Sequence, residues 1–184
     1  RSVFNNAGYN TSSYHDYAEH YYYRRTIHPN MGSMKYYNVQ DLGIKWTSKY
    51  EEWPSDVDLI KTATPQFIDE DKFMVFMTSV TTHQPYFESS EYGDKHLSEF
   101  KDYSYSKPVK RYMSKMKELD AALELLLQKL EEAGKLEDTV IIVVADHGHL
   151  SVDRVQLTNY PEITSLLERN TSLEPRATSF KIIP

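Results

Sequence analysis

Asp146 and His147 follow directly on a run of β-branched and apolar residues, Thr139 to Ala145 (TVIIVVA), and lead into Gly148 and His149. An aspartate offers a hard anionic oxygen and a histidine a borderline nitrogen. Delivered side by side at the end of a strand, the two make part of a site for zinc, manganese or, less readily, magnesium. Gly148 permits a sharp backbone turn, so that neighbouring side chains converge instead of alternating across a pleat. The plainer reading of the same residues is an aspartate capping a helix, followed by an ordinary loop histidine. Two ligands are too few to hold a metal firmly. At least one more carboxylate, and a nucleophile or an activated water, has to come from elsewhere.

Two further groups of polar residues suit phosphate chemistry. His83 stands just past an apolar run, Phe73 to Val80, in the segment TTHQPY. Its imidazole can donate to a phosphate oxygen, or serve only as a loop histidine bonded to backbone. Arg24 and Arg25 follow three consecutive tyrosines in HDYAEHYYYRRTIHP. Guanidinium forks bind phosphate or carboxylate, and aromatic rings pack on the carbon skeleton of a headgroup; the alternative is a solvated loop with a tyrosine patch. His15 and His28 are single loop histidines, which usually are not ligands. Asp153 and Arg154 read as a surface ion pair.

The elements that must position these residues alternate in type. Arg1 to Ala7 reads as a helix end stopped by Gly8, and Tyr9 to Tyr14 as a strand. Asp16 to Met34 has the turn chemistry of a structured loop. Ser55 to Phe67 reads as a short amphipathic helix begun by Ser55 and Asp56 and ended near Pro65, Phe73 to Val80 as a second strand, and Glu88 to Tyr105 as a surface loop. From Lys107 to Ala133, Val109, Tyr112, Met116, Leu119, Leu123, Leu126 and Leu130 recur at intervals of three and four, a single helical stripe. Ser106 can cap that helix, Pro108 suits its first turn, and Gly134 is placed to end it. Its short connection to Thr139–Ala145 favours packing on a sheet over a coiled-coil partner. Thr139–Ala145 is apolar on both faces, as a central parallel strand covered by helices would be, and ligands of such sheets sit beyond the carboxyl ends of the strands. Pro161 to Arg169 suggests another short helix and Ser179 to Ile183 another strand.

At 184 residues the chain fills one core rather than two. A net charge of −6 argues against a general nucleic-acid partner. The absence of cysteine rules out disulfides and thiolate ligands. No apolar run approaches the roughly 20 residues of a membrane span, so any anchor or signal is expected outside these residues.

Four segments carry a family resemblance: GYNTSSYH, YYYRRTIHPNMG, SVTTHQPY and LDAALELLLQKLEEAGKLEDTVIIVVADH. From about Gly8 to His149 the chain resembles the extracellular catalytic domain of lipoteichoic acid synthase and related phosphoglycerol transferases, in the alkaline phosphatase and sulfatase superfamily. The resemblance implies an α/β sandwich with a mostly parallel central sheet flanked by helices, incomplete at its N-terminal side, formed by residues 1–184 as a single partial domain. It implies Asp146 and His147 as ligands of manganese or magnesium, with zinc possible, His83 as a contact to the phosphoryl group, Arg24 as a headgroup-binding arginine, and Tyr22 in place of an aromatic residue that is often tryptophan. Members attack phosphatidylglycerol with a threonine, form a covalent glycerophosphoryl enzyme and pass the unit to a growing polymer on the outer face of the bacterial membrane. The family's acidic ligand and nucleophilic threonine lie upstream of Arg1, and Thr78, Thr81 and Thr82 do not match the nucleophile motif. The implied partner is a phosphate-bearing lipid headgroup or another phosphodiester, with no nucleic acid. After His149 the chain instead resembles alkaline-phosphatase-like phosphodiesterases and nucleotide pyrophosphatases, so 150–184 reads as a phosphodiesterase-like continuation. A sulfatase or nucleotide phosphodiesterase fragment, or a non-catalytic anion-binding module, is the alternative.

Overall fold

The structure, a computed structural model, describes residues 1–46, 52–145 and 181–183. Arg1–Leu136 and Glu137–Pro184 form two compact units. The first carries a three-stranded parallel sheet in the order β2-β1-β3, from β1 (Asn10–His15), β2 (Lys35–Tyr37) and β3 (Phe73–Thr78). Its helices are α1 (Ser2–Asn6), α2 (Arg24–Asn30), α3 (Asp56–Ala63), α4 (Glu91–Asp94) and α5 (Lys107–Glu132). No described helix is long and apolar enough to cross a membrane.

Parallel pairing puts both faces of β1 under cover, and the sequence meets each face differently. Tyr14 points into an apolar core with Leu59 and Ala63 of α3 and Phe67, against which Val75, Met77 and Leu126 pack. Its ring stacks on Tyr37 at 5.2 Å. The opposite face is buried through hydroxyls: Ser13 pairs with Ser33 at 2.5 Å, and Thr11 donates to the Gly32 carbonyl at 2.8 Å. Gly32 sits at φ +94, and a Cβ there would come within 2.6 Å of Ser2, so only glycine lets the turn after α2 close onto α1. Leu59 is 1% exposed at the centre of the core. Leu59→Ala is expected to cost about 2–5 kcal/mol in urea unfolding, the usual loss for a truncated core leucine.

Three elements differ from the sequence reading. Asp16 to Met34, expected as a loop, contains a 3₁₀ turn at Tyr21–Tyr23 and then α2, with Pro29 near its end. Glu88 to Tyr105, expected as surface loop, contains α4, capped by Ser90 accepting from the Gly93 amide, and a 3₁₀ turn at Leu97–Phe100. Charged residues in these segments bond to neighbouring elements, so their polarity did not mean solvation. The third difference is the buried side of α5. The helix spans almost the range its periodicity predicts and ends in a Schellman turn, with the Lys135 amide on the Leu130 carbonyl at 2.8 Å and Gly134 at φ +67. Its first half, however, buries Arg111, Ser114, Lys115 and Glu118, while Met116 of the apolar stripe is exposed. Each buried polar group is matched. Arg111 donates to Asp94 at 2.6 Å, Ser114 to the Tyr92 carbonyl at 2.6 Å, and Glu118 accepts from Ser55 at 2.5 Å and Lys95 at 2.7 Å. Ser106, expected as a cap, makes no side-chain cap bond.

In the second unit, β4 (Ile141–Val143) pairs antiparallel with β5 (Lys181–Ile183), Ile142 opposite Ile182. The sequence predicted a longer parallel strand covered on both faces. Val140, Ile142, Val143 and Val144 are instead exposed. Apolar composition says that a strand needs cover; it does not say which element supplies it. The helix expected at Pro161 to Arg169 lies outside the described residues.

Candidate functional site

The carboxyl ends of β1 and β3 gather the titratable groups. His15, the last residue of β1, is 1% exposed and its Nδ1–H donates to the Thr78 carbonyl at 3.0 Å. Burial, with smaller contributions from the Arg24 and His28 charges, pushes its pKa down to about 4 against the opposing effect of the Thr78 bond. Nε2 is then a bare nitrogen, buried and without a hydrogen-bond partner among the described residues. Asp16 follows, fully buried. Neither of its oxygens meets a donor among the described residues, and its carboxyl lies against that of Asp56 at the start of α3. Asp56 Oδ1 accepts the amides of Val80 at 3.0 Å and Thr81 at 3.2 Å. Burial raises both acids, and Asp16 well above the usual carboxylate range because the Asp56 charge adds to it. A protonated Asp16 donates to Asp56, whose Oδ2 otherwise lacks a donor among the described residues. The 3.9 Å approach of His15 to Asp16 is therefore a contact between neutral groups and not an ion pair. Thr81 is spent on structure, donating to the Pro54 carbonyl at 2.7 Å and accepting from the Asp56 amide at 2.9 Å.

On the face of the sheet that carries Phe76 lies a cavity of about 290 Å³ lined by Arg1, Tyr22, Arg24, Ile27, His28, Met31 and Phe76. It brings together two residues the sequence singled out, Tyr22 and Arg24, with the guanidinium carbon 5.7 Å from the ring centre. Tyr22 and Tyr23 precede α2 at φ 53 and 49, a left-handed conformation rare for bulky residues. Among the described residues no acidic side chain lines it. Arg1 Nη1, Arg24 Nε and His28 Nδ1 are buried and lack hydrogen-bond partners among the described residues. Burial, then the Arg1 and Arg24 charges, holds His28 neutral with its pKa near 4. Donors and positive charge without partners among the described residues are a setting that suits an anion. Arg25, by contrast, is committed: it donates to Glu19 and, at 2.6 Å, to Asp41.

His83 stands in a separate place, in the turn after β3. Its Nδ1 bonds the Gln84 carbonyl at 2.8 Å, and the Trp53 ring meets it edge-on at 4.8 Å. It does not line the Arg24 cavity. Asp146 and His147 lie outside the described residues, and among the described residues no group of three or more His, Asp or Glu side chains could hold a metal ion. The sequence reading passed over Asp16, Arg1 and Lys115 and set His28 aside. One signal was present for Asp16: it is a carboxylate directly after a strand, as Asp146 is.

The sequence matches the Sulfatase family over residues 2–170. The chain belongs to this family. Its fold, in the alkaline phosphatase superfamily, is that of solved structures with low identity. The lipoteichoic acid synthase LtaP from Listeria monocytogenes superposes with a TM-score of 0.66 at 23% identity, over 95% of this chain and 40% of that one. The Streptococcus pyogenes phosphoglycerol transferase GacH, in complex with sn-glycerol-1-phosphate, gives 0.61 at 17% identity, over 96% and 43%. A protein of the alkaline phosphatase superfamily from Vibrio parahaemolyticus gives 0.56 at 19% identity, over 83% and 36%. The chain thus spans less than half the length of each. No curated protein matches it at the sequence level.

Proposed function

We propose that the chain is the carboxyl-proximal part of a metal-dependent phosphoryl-transfer domain of the phosphoglycerol transferase type, acting on the phosphodiester of a lipid headgroup such as phosphatidylglycerol at a bacterial cell surface. The observation that carries this reading is the Arg24 cavity on one face of the parallel sheet, lined among the described residues by no acid and holding guanidinium and imidazole nitrogens that lack partners there. Arg24 offers its fork to the headgroup and Tyr22 packs on the headgroup's carbon skeleton, while His83, outside that cavity, contacts the phosphoryl group. Asp146 and His147 supply one oxygen and one nitrogen, a donor pair that suits manganese or magnesium. A bound divalent cation would lower the pKa of a nucleophile and neutralise charge on the phosphoryl oxygens.

Neither the acidic metal ligand nor the nucleophilic threonine of the resemblance is among these residues, so the polypeptide by itself is expected to bind anions and cations with little or no turnover. Purified chain in manganese should leave bis-p-nitrophenyl phosphate intact, while calorimetry registers manganese binding that weakens on Asp146→Ala. Hydrolysis abolished by Asp146→Ala would show that the chain carries its own nucleophile. Manganese binding unchanged by that substitution would remove Asp146 from the metal site.

A further inference from the structure

His83 is held by two residues to which the phosphoryl-transfer reading gives no role. Three successive carbonyls of its turn point at donors from elsewhere in the fold. The His83 and Pro85 carbonyls accept from the Lys115 ammonium at 2.8 and 3.2 Å, and the Gln84 carbonyl accepts from the Trp53 indole N–H at 2.8 Å. The same Gln84 carbonyl takes the imidazole Nδ1–H at 2.8 Å. A carbonyl only accepts, so this bond fixes the proton on Nδ1 and leaves Nε2 to a ligand. The Trp53 ring, edge-on at 4.8 Å, limits rotation of the imidazole.

Lys115 is an expensive way to brace a loop. It is 1% exposed, on the face of α5 where an apolar residue would ordinarily pack. Burial pulls its pKa down to about 8. A buried ammonium is costly unless its hydrogen bonds are made, and here they go to the backbone on either side of Gln84, with the Tyr86 ring 5.5 Å away. We propose that Lys115 and Trp53 are positioning residues for His83: by gathering the carbonyls of residues 83–85 they lock the imidazole in the Nδ1–H form with Nε2 presented to a phosphate oxygen. This rests on His83 being the phosphoryl contact. With Nδ1–H on the Gln84 carbonyl, Nε2 is the ring nitrogen left for the ligand, and it is a donor to a phosphate oxygen only when both ring nitrogens carry hydrogen.

The test uses the whole chain with ¹⁵N-labelled histidine. In the wild type, the His83 ring nitrogens should show one fixed tautomer. Trp53→Phe keeps a ring and removes the N–H, and Lys115→Met removes the ammonium. In each, the two nitrogen shifts should move toward an averaged tautomer, while affinity for sn-glycerol-1-phosphate falls by about tenfold, the usual cost of misplacing one hydrogen bond to a charged group. Thermal melts identify a variant that fails to fold, in which case Trp53→Phe decides. A folded Trp53→Phe that keeps the wild-type tautomer overturns the proposal. If the wild type binds no glycerol phosphate but shows the locked tautomer, the phosphoryl-transfer reading fails and the positioning role stands.

Discussion

Asp16→Asn is expected to stabilise the chain above about pH 5 and to make little difference near pH 4. Asp16 is fully buried, and its carboxyl faces that of Asp56 with no donor to either oxygen among the described residues. Burial first, then the Asp56 charge, holds its folded pKa well above the value of about 3.9 expected in an unfolded chain. The folded state therefore binds more protons than the unfolded one over that interval. The stability associated with a protonated Asp16 is complete below the unfolded pKa and is lost as pH rises toward and through the folded one. Asparagine cannot ionise, and its amide can donate to Asp56 Oδ2, as the protonated acid does. The gain at pH 8 should be about 1–3 kcal/mol, the penalty for a buried polar group left unsatisfied. Paired urea titrations at pH 4 and pH 8 measure it. A variant whose advantage does not grow with pH would show that Asp16 is not the proton-holding group.

Much of the frame was legible because it depends on local rules. α5 follows its three-and-four spacing and ends at Gly134; α3 starts at Ser55, whose hydroxyl accepts from the Asp58 amide as a cap should; β3 begins at Phe73 as its apolar run predicts. What escaped was non-local. The polar side of α5 carries Arg111, Lys115 and Glu118, which in sequence look like a solvated face. The start of α3, α4 and the turn after β3 make them buried, by bringing Ser55, Asp94, Lys95 and the carbonyls of His83 and Pro85 within reach. Likewise Arg24 and Arg25 are indistinguishable as a dipeptide. Helical geometry turns them apart, one toward a cavity without acids and the other onto Glu19 and Asp41. Tyr22 and Arg24 were singled out together by resemblance, whereas Arg1 and His28 share their cavity only because α1 and α2 pack together on one face of the sheet.

That difference between adjacent arginines sets up the remaining large effect. Under the proposed reading, Arg24→Gln is expected to weaken binding of sn-glycerol-1-phosphate by about 10–100-fold, since hydrogen bonds to charged groups are worth roughly 1.5–3 kcal/mol and 1.4 kcal/mol is a factor of ten. Arg24→Lys should recover only part of the loss, because an ammonium keeps the charge and not the fork. Arg25→Gln should leave affinity within about twofold, its guanidinium being occupied by Glu19 and Asp41 in a half-exposed ion pair of small energetic weight. Removing Arg24 takes away no internal hydrogen bond made by its buried Nε and relieves the positive field on its neighbours. Thermal stability should therefore hold or rise, and His15 and His28, both held down partly by the Arg24 charge, should titrate at higher pH. Calorimetry gives the affinities and a proton NMR titration the two histidines. Equal losses for the Arg24 and Arg25 variants would mean that glycerol phosphate responds to net charge alone. A fall in stability on Arg24→Gln would mean that Arg24 serves the fold and not a ligand.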